Sequence, residues 1–152
     1  MANSDIRFIY ENDEGGITIV TPSDKTNLTL DEIKAKCCPS GKTVVTINKS
    51  EMPSNRNFRN AWKLNNNKVE TDMTKAKEIH KSNIRTARKP KLAELDIEFQ
   101  KALETSSSTT DIVSKKQALR DAPADSGIAS ASDEAALKAQ WNTSILGDSP
   151  YS

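Results

Sequence analysis

The amino-acid sequence predicts an α+β protein: a small antiparallel β-rich unit with one short helix, then a long helix, then short tethered helices. β-favouring runs separated by turn residues fill 1–71, an amphipathic helical pattern follows over 72–104, and polar low-complexity sequence alternates with short apolar runs over 105–152. We take these three segments as the predicted domains. Only 35% of the residues are hydrophobic, against roughly 45–50% in typical globular domains. Part of the chain is therefore expected to lie outside any core.

The predicted β-rich unit is built from short strands. The runs 6–10 and 17–20 flank a polar loop with two glycines and predict a hairpin whose loop is longer than a two-residue turn. Thr29 can cap a short helix that follows, and 42–47 has strong strand propensity. A second hairpin around the asparagine turn at 65–67 would extend or close this ββαβ unit.

The long helix carries an apolar stripe and an internal proline. Pro90 lacks an amide hydrogen and clashes with the preceding turn, so it predicts a kink or a junction between two helical parts. A helix of about 30 residues is too long to be buried under so small a sheet, so we expect its stripe to contact another chain, either a partner or a second copy. The stripe residues predicted for this contact are Ile84, Leu92, Leu95, Phe99 and Leu103.

A short helix near the end of the chain is a second candidate for partner binding. Leu137 and Trp141 share one face of this helix, which follows a Ser/Thr-rich stretch. A short amphipathic helix on a flexible tether is suited to docking into a groove of another protein. Folding back on its own chain is the alternative.

Basic residues cluster in the first half of the long helix. Seven fall within 75–91, opposed only by Glu78. The predicted basic face consists of Lys81, Arg85, Arg88 and Lys89. Such a ridge could track nucleic-acid phosphates, but the run has no aromatic residue for base stacking and the whole chain has a net charge of only +1. We therefore expect a solvated or protein-binding face, with neither nucleic acid nor a membrane as the partner.

Residues that could perform catalysis or bind a cofactor are scarce. His80 is the only histidine, and its place in the predicted helix is more typical of packing than of a general base. Cys37 and Cys38 are adjacent, a spacing that rarely forms a disulfide and cannot complete a zinc site with one histidine. We expect no enzyme activity, no metal, no cofactor and a reducing compartment.

Four segments of the chain resemble small proteins encoded by tailed bacteriophages. Their sequences are FIYENDEGGI at 8–17, PSNRNFRNAW at 53–62, KAKEIHKSNIRTAR at 75–88 and KKQALRDAP at 115–123. The last is similar to C-terminal segments of phage tail-fibre assembly chaperones. The resemblance implies a tail or tail-fibre component that binds other phage structural proteins, in the virion or in the host cytoplasm during assembly. The alternatives are a transient assembly chaperone absent from the mature particle, and a basic-helix protein that binds nucleic acid or a host factor.

Overall fold

The computed structural model describes residues 2–152 and has the predicted α+β layout, with antiparallel strands followed by a long helix and shorter helices. The chain divides into two compact units, Met1–Asp72 (unit 1) and Met73–Ser152 (unit 2). Each unit has buried hydrophobic residues of its own. Unit 1 contains the strands and one helix, and unit 2 is helical.

Unit 1 begins with a three-stranded antiparallel sheet. Its strands are β1 (Ile6–Glu11), β2 (Ile17–Val20) and β3 (Val45–Asn48), in the spatial order β2-β1-β3. The predicted first hairpin is thus confirmed, and the third strand pairs on the other side of β1. β1 is therefore the central strand.

The second predicted hairpin is also present and forms a separate two-stranded sheet. Its strands are β4 (Trp62–Asn65) and β5 (Lys68–Thr71). The turn residues Asn66 and Asn67 have φ angles of 49° and 61°. Asparagine tolerates this left-handed region better than most residues, and a two-residue hairpin turn with φ > 0 at both positions matches the twist of the strands.

The second hairpin closes over one face of the three-stranded sheet. Trp62 and Val69 of the second hairpin join Ile9, Ile17 and Ile47 in one buried cluster. On β1 the neighbouring residue Phe8 points to the opposite face, because side chains alternate along a strand, and it is only 2% exposed. The central strand is thus covered on both faces.

The short helix of unit 1, α1 (Leu30–Cys37), begins as predicted at Thr29. The Thr29 hydroxyl accepts a hydrogen bond from the Glu32 amide at 3.3 Å, and the Glu32 carboxylate accepts one from the Thr29 amide at 2.7 Å. This reciprocal capping box satisfies two donors that a helix start otherwise leaves unpaired. The Thr29 amide and hydroxyl both donate to the Glu32 carboxylate, and these hydrogen bonds lower the pKa of Glu32.

Unit 2 is organised by one 32-residue helix, α2 (Met73–Glu104). The helix is continuous through Pro90, so of the two predicted alternatives a junction between separate helices is wrong, and a kink at Pro90 stays a prediction. Pro90 lacks the amide that would donate to the carbonyl of Thr86, so only one rung of the helical ladder is missing. The turns on either side keep their own hydrogen bonds and hold the helix together.

Four shorter helices pack around α2. They are α3 (Thr110–Asp121), α4 (Ser126–Ser130), α5 (Glu134–Lys138) and α6 (Thr143–Leu146). Of these, α3, α5 and α6 contact α2 directly. The short helices predicted over 105–152 are present, and three of them pack against α2 where the sequence predicted a flexible linker between them. In the part of the chain that the structure describes, no helix is both long enough and apolar enough to span a bilayer.

Candidate functional site

Most of the apolar stripe predicted to bind a partner is covered inside unit 2. Ile84 and Leu95 are 1% and 8% exposed, and Leu92 and Phe99 are half-buried. Only Leu103 is largely exposed, at 53%. The helices that follow α2 supply the cover that the sequence assigned to another chain. The predicted partner contact is therefore wrong for Ile84 and Leu95, which belong to the core of unit 2.

The predicted docking of Leu137 and Trp141 on another protein is also wrong. Leu137 is completely buried in unit 2, and Trp141 is 8% exposed. The indole N–H of Trp141 donates a hydrogen bond to the carbonyl of Gly147 at 3.0 Å. The end of the chain folds back on itself, which was the alternative interpretation, because these two side chains find their apolar cover within unit 2.

The buried histidine of α2 connects to the last residues of the chain. His80 is 0% exposed, and its Nδ1 lies 2.7 Å from the hydroxyl oxygen of Tyr151. The Asn83 side-chain amide donates to that same oxygen at 3.2 Å. The Tyr151 O–H can therefore donate to Nδ1 while its oxygen accepts from Asn83. The His80 and Tyr151 rings stack with centroids 5.6 Å apart, and Trp141 meets both rings edge-on at 6.1 Å.

This packing makes a neutral imidazole the favoured form of His80. Burial lowers the pKa of His80 below its ordinary value of 6.5, and the carbonyl of Gln140 partly opposes this effect. Burial likewise raises the pKa of Tyr151. Lys138 adds a positive charge nearby, with its Nζ 6.0 Å from the centre of the Tyr151 ring. The histidine thus contributes to packing and hydrogen bonding in the interior.

Arg88, a member of the predicted basic face, is engaged within its own chain. Its guanidinium donates hydrogen bonds to the carbonyls of Leu119 at 3.2 Å and Arg120 at 2.8 Å, in the last turn of α3. The carbonyls at a helix C-terminus have no intrahelical partner and carry a partial negative charge, so a cation there is stabilising. The prediction that Arg88 lies on an open basic face is therefore wrong.

The other three members of the basic face remain nearer to solvent. Lys81 pairs with Glu78 at 3.0 Å, which lowers the pKa of Glu78. Arg85 and Lys89 are exposed. A ridge of four cations along α2 is thus reduced to two exposed cations and one that is paired.

The large apolar side chains that remain exposed in unit 2 lie on α2 and α3. Ile97 is 57% exposed, Leu103 is 53% exposed and Val113 is 49% exposed. We call these three residues the hairpin-end surface. The sequence singled out Leu103 alone, because Ile97 falls outside the three-and-four spacing of the stripe and Val113 lies on another helix. An apolar residue on the polar side of an amphipathic helix was the signal for Ile97.

One ion pair links the two helices near Phe99. Lys116 of α3 forms an ion pair with Asp96 of α2, and its ammonium lies 5.3 Å from the centre of the Phe99 ring. A groove of about 310 Å³ between α2, α3 and α6 lies farther along the hairpin, with Leu95, Leu119 and Ile145 among its apolar lining residues. An apolar side chain of a partner would fit such a groove.

Residues 2–152 contain no group of three or more side chains arranged to hold a metal ion. Cys37 and Cys38 are free thiols at the end of α1, and burial raises the pKa of Cys38. Compared with known proteins, the chain matches no family model, no curated protein and no solved structure.

Removal of the Tyr151 hydroxyl tests its contact with His80. Tyr151→Phe leaves the buried Nδ1 of His80 and the amide of Asn83 without this partner. We expect the free energy of unfolding to fall by about 1–3 kcal/mol, the usual effect of an unpaired buried polar group. Urea denaturation followed by circular dichroism at 222 nm measures this change. The control is Tyr10→Phe in unit 1, where the partly exposed ring loses a hydroxyl of little consequence; equal effects of the two variants would contradict the interpretation.

The burial of His80 also predicts a pH dependence of stability. Because the folded state disfavours the imidazolium, the unfolded chain binds the proton first as the pH falls below 6.5, so stability is retained above this value and lost on acidification below it. The four carboxyl groups whose pKa is lowered, Asp13, Asp24, Glu32 and Glu78, have ordinary pKa values of 3.8 to 4.5 and so lose their contribution at lower pH than His80 does.

Nuclear magnetic resonance can measure this pKa without ambiguity, because the chain has one histidine. The imidazole C–H signal of folded His80 should titrate with a midpoint below 6.5. His80→Gln should remove the stability change between neutral and mildly acidic pH. A midpoint above the ordinary value would show that the imidazolium is stabilised in the folded state and would overturn the prediction.

Proposed function

We propose that this chain is a non-enzymatic protein of a tailed bacteriophage that binds other phage structural proteins as a component of the tail or tail fibre. The resemblance of four segments to small phage proteins supports the phage assignment. The observation that supports a binding role is the exposure of Ile97 and Leu103 on α2 and of Val113 on α3. The engagement of His80 in the core supports a non-catalytic role, because that imidazole is held by Tyr151.

The hairpin-end surface is suited to contact with a protein. Burying a large aliphatic side chain is worth roughly 1.5–3 kcal/mol, and three such side chains remain half exposed on two neighbouring helices. Exposed apolar surface is the kind that a protein partner covers, and the large exposed hydrophobic residues of the described chain are all on α2 and α3. The Lys116–Asp96 pair on the same two helices supplies the polar rim that protein interfaces commonly have.

The alternatives would use different parts of unit 2 or act at a different time. A transient assembly chaperone would use the same hairpin-end surface and leave before the particle matures. A nucleic-acid-binding protein would depend on the basic face, where Arg88 is engaged with α3 and Arg85 and Lys89 are exposed. Two exposed cations provide few phosphate contacts, so we favour binding to protein.

Peptide mass spectrometry of gradient-purified particles of the encoding phage tests whether this protein is a virion component. We expect its peptides at a fixed copy number relative to the major capsid protein. Infected-cell lysate is the control, because it shows that the protein is expressed. Presence in the lysate with absence from the particles would overturn the virion assignment in favour of the chaperone.

Charge substitutions on the hairpin-end surface test whether it binds the partner. Ile97→Lys or Leu103→Lys would bring a solvated ammonium into an apolar contact, and a loss of about 1–2 kcal/mol corresponds to roughly a tenfold weaker complex. The measurement is the infectious titre when a phage lacking the gene is complemented with each variant. Gln100→Lys, an exposed polar position on the same helix, is the matched control.

The infectious-titre experiment can also contradict the proposed contact. Both test positions are more than half exposed, so the variants should unfold at the temperature of the parent protein. Unchanged titre with Ile97→Lys and Leu103→Lys would exclude the hairpin-end surface as the essential contact. A titre that also falls with Gln100→Lys would indicate a general effect of added charge.

A further inference from the structure

Two arginines of unit 1 converge on one aromatic ring. The guanidinium carbons of Arg56 and Arg59 lie 5.7 and 5.2 Å from the centre of the Trp62 ring. The backbone brings them together, because the Arg59 amide donates a hydrogen bond to the Arg56 carbonyl at 3.1 Å and so closes a turn. Phe58, which lies between them in the sequence, is completely buried and anchors this turn.

The two guanidinium groups lack a carboxylate partner. Across residues 2–152, none of the ion pairs involves Arg56 or Arg59. Burial lowers the pKa of Arg59, and the positive charge of Arg56 lowers it further. Contact with an aromatic face is favourable for one cation, but a second cation nearby adds repulsion that the ring does not neutralise.

The indole N–H of Trp62 is a hydrogen-bond donor that also lacks an acceptor. Trp62 is 1% exposed, and its indole Nε1 is buried with no hydrogen-bond partner in the described structure. Buried donors are nearly always paired in native proteins, so an unpaired one calls for an explanation. The exposed Arg56 and the half-buried Arg59 thus place two cations on one ring without an acidic partner, and an anion is the group that balances their charge. The Trp62 indole N–H is itself buried, so it senses a ligand on this ring without contacting it.

We propose that Arg56 and Arg59 form a binding site for a phosphate dianion beside Trp62, supplied either as inorganic phosphate or as a phosphate monoester. A planar guanidinium recognises phosphate through two parallel N–H···O bonds. Two guanidiniums match the charge of about −1.5 to −2 that a phosphate group carries near pH 7, whereas one carboxylate would leave a positive charge uncompensated. This site is independent of the proposed phage function.

Titration with potassium phosphate at pH 7, followed by ¹H–¹⁵N correlation spectra, tests the proposal. The assigned indole N–H signal of Trp62 should shift in a saturable manner, with a dissociation constant in the millimolar range expected for a small anion. The Trp141 signal, from unit 2, serves as the internal reference. Potassium chloride at matched ionic strength should produce no saturable shift, and acetate should bind more weakly than phosphate.

Charge-neutralising variants connect the response to the arginines. Arg56→Gln and Arg59→Gln should each weaken phosphate binding by about tenfold, because each removes a charge-assisted contact. Lys63→Gln, which removes an exposed positive charge from the residue after Trp62, should bind as the parent does. Arg56 is exposed, so Arg56→Gln remains informative if Arg59→Gln unfolds unit 1.

The remaining outcomes either distinguish a phosphate monoester from free phosphate as the ligand or contradict the proposed site. Tighter binding of O-phosphoserine than of inorganic phosphate would support a phosphate monoester as the ligand, and the reverse order would support free phosphate. Equal responses to phosphate, chloride and acetate would overturn the proposal. Unchanged phosphate affinity in both arginine variants would overturn it as well, whether or not the protein is found in phage particles.

Discussion

The need to cover the apolar side of α2 governs the structure of unit 2. A 32-residue helix cannot bury its own stripe, so α3, α5 and α6 fold back against it. The contact between His80 and Tyr151 extends this cover to the last residues of the chain, since Tyr151 is the second residue from its end. A chain with few hydrophobic residues thus completes a core by using its C-terminal third. The large apolar side chains that remain exposed on α2 and α3 are Ile97, Leu103 and Val113.

Unit 1 was the more predictable half because its signals are local. The capping box at Thr29 and the positive-φ asparagines at 66–67 act within a few residues of the chain, and so does strand alternation. Unit 2 depends on contacts between residues far apart in sequence, such as His80 and Tyr151, which are 71 positions apart. No periodicity reveals that pairing. Serine- and alanine-rich sequence predicts a flexible tether, although Ala131 and Ile128 are buried in the packed structure.

The contacts of the charged residues in the candidate site likewise cannot be predicted from the sequence. Sequence places Arg88 on a basic ridge, but its role depends on where the last carbonyls of α3 lie. The spacing of cations along α2 does not distinguish one that contacts the end of another helix from one that faces solvent. The helical pattern alone is enough to predict that Arg85 and Lys89 are exposed. The contact of Arg88 with α3 depends on the tertiary fold. The sequence likewise could not reveal Arg56 and Arg59 on one ring, because a turn and the burial of Trp62 bring them together.

One proposed binding surface is apolar and the other is charged, so the salt dependence of binding can show which of them a ligand or partner uses. Contact through Ile97 and Leu103 is apolar, so salts that are excluded from protein surfaces should strengthen it. Contact through Arg56 and Arg59 is electrostatic and partly solvent-accessible, so added salt screens it and competes with the ligand. Binding that persists at high ionic strength therefore points to the hairpin-end surface, and binding lost there points to the arginine pair. Arg56 and Arg59 belong to unit 1, whereas Ile97 and Leu103 belong to unit 2, so the two surfaces can be substituted separately.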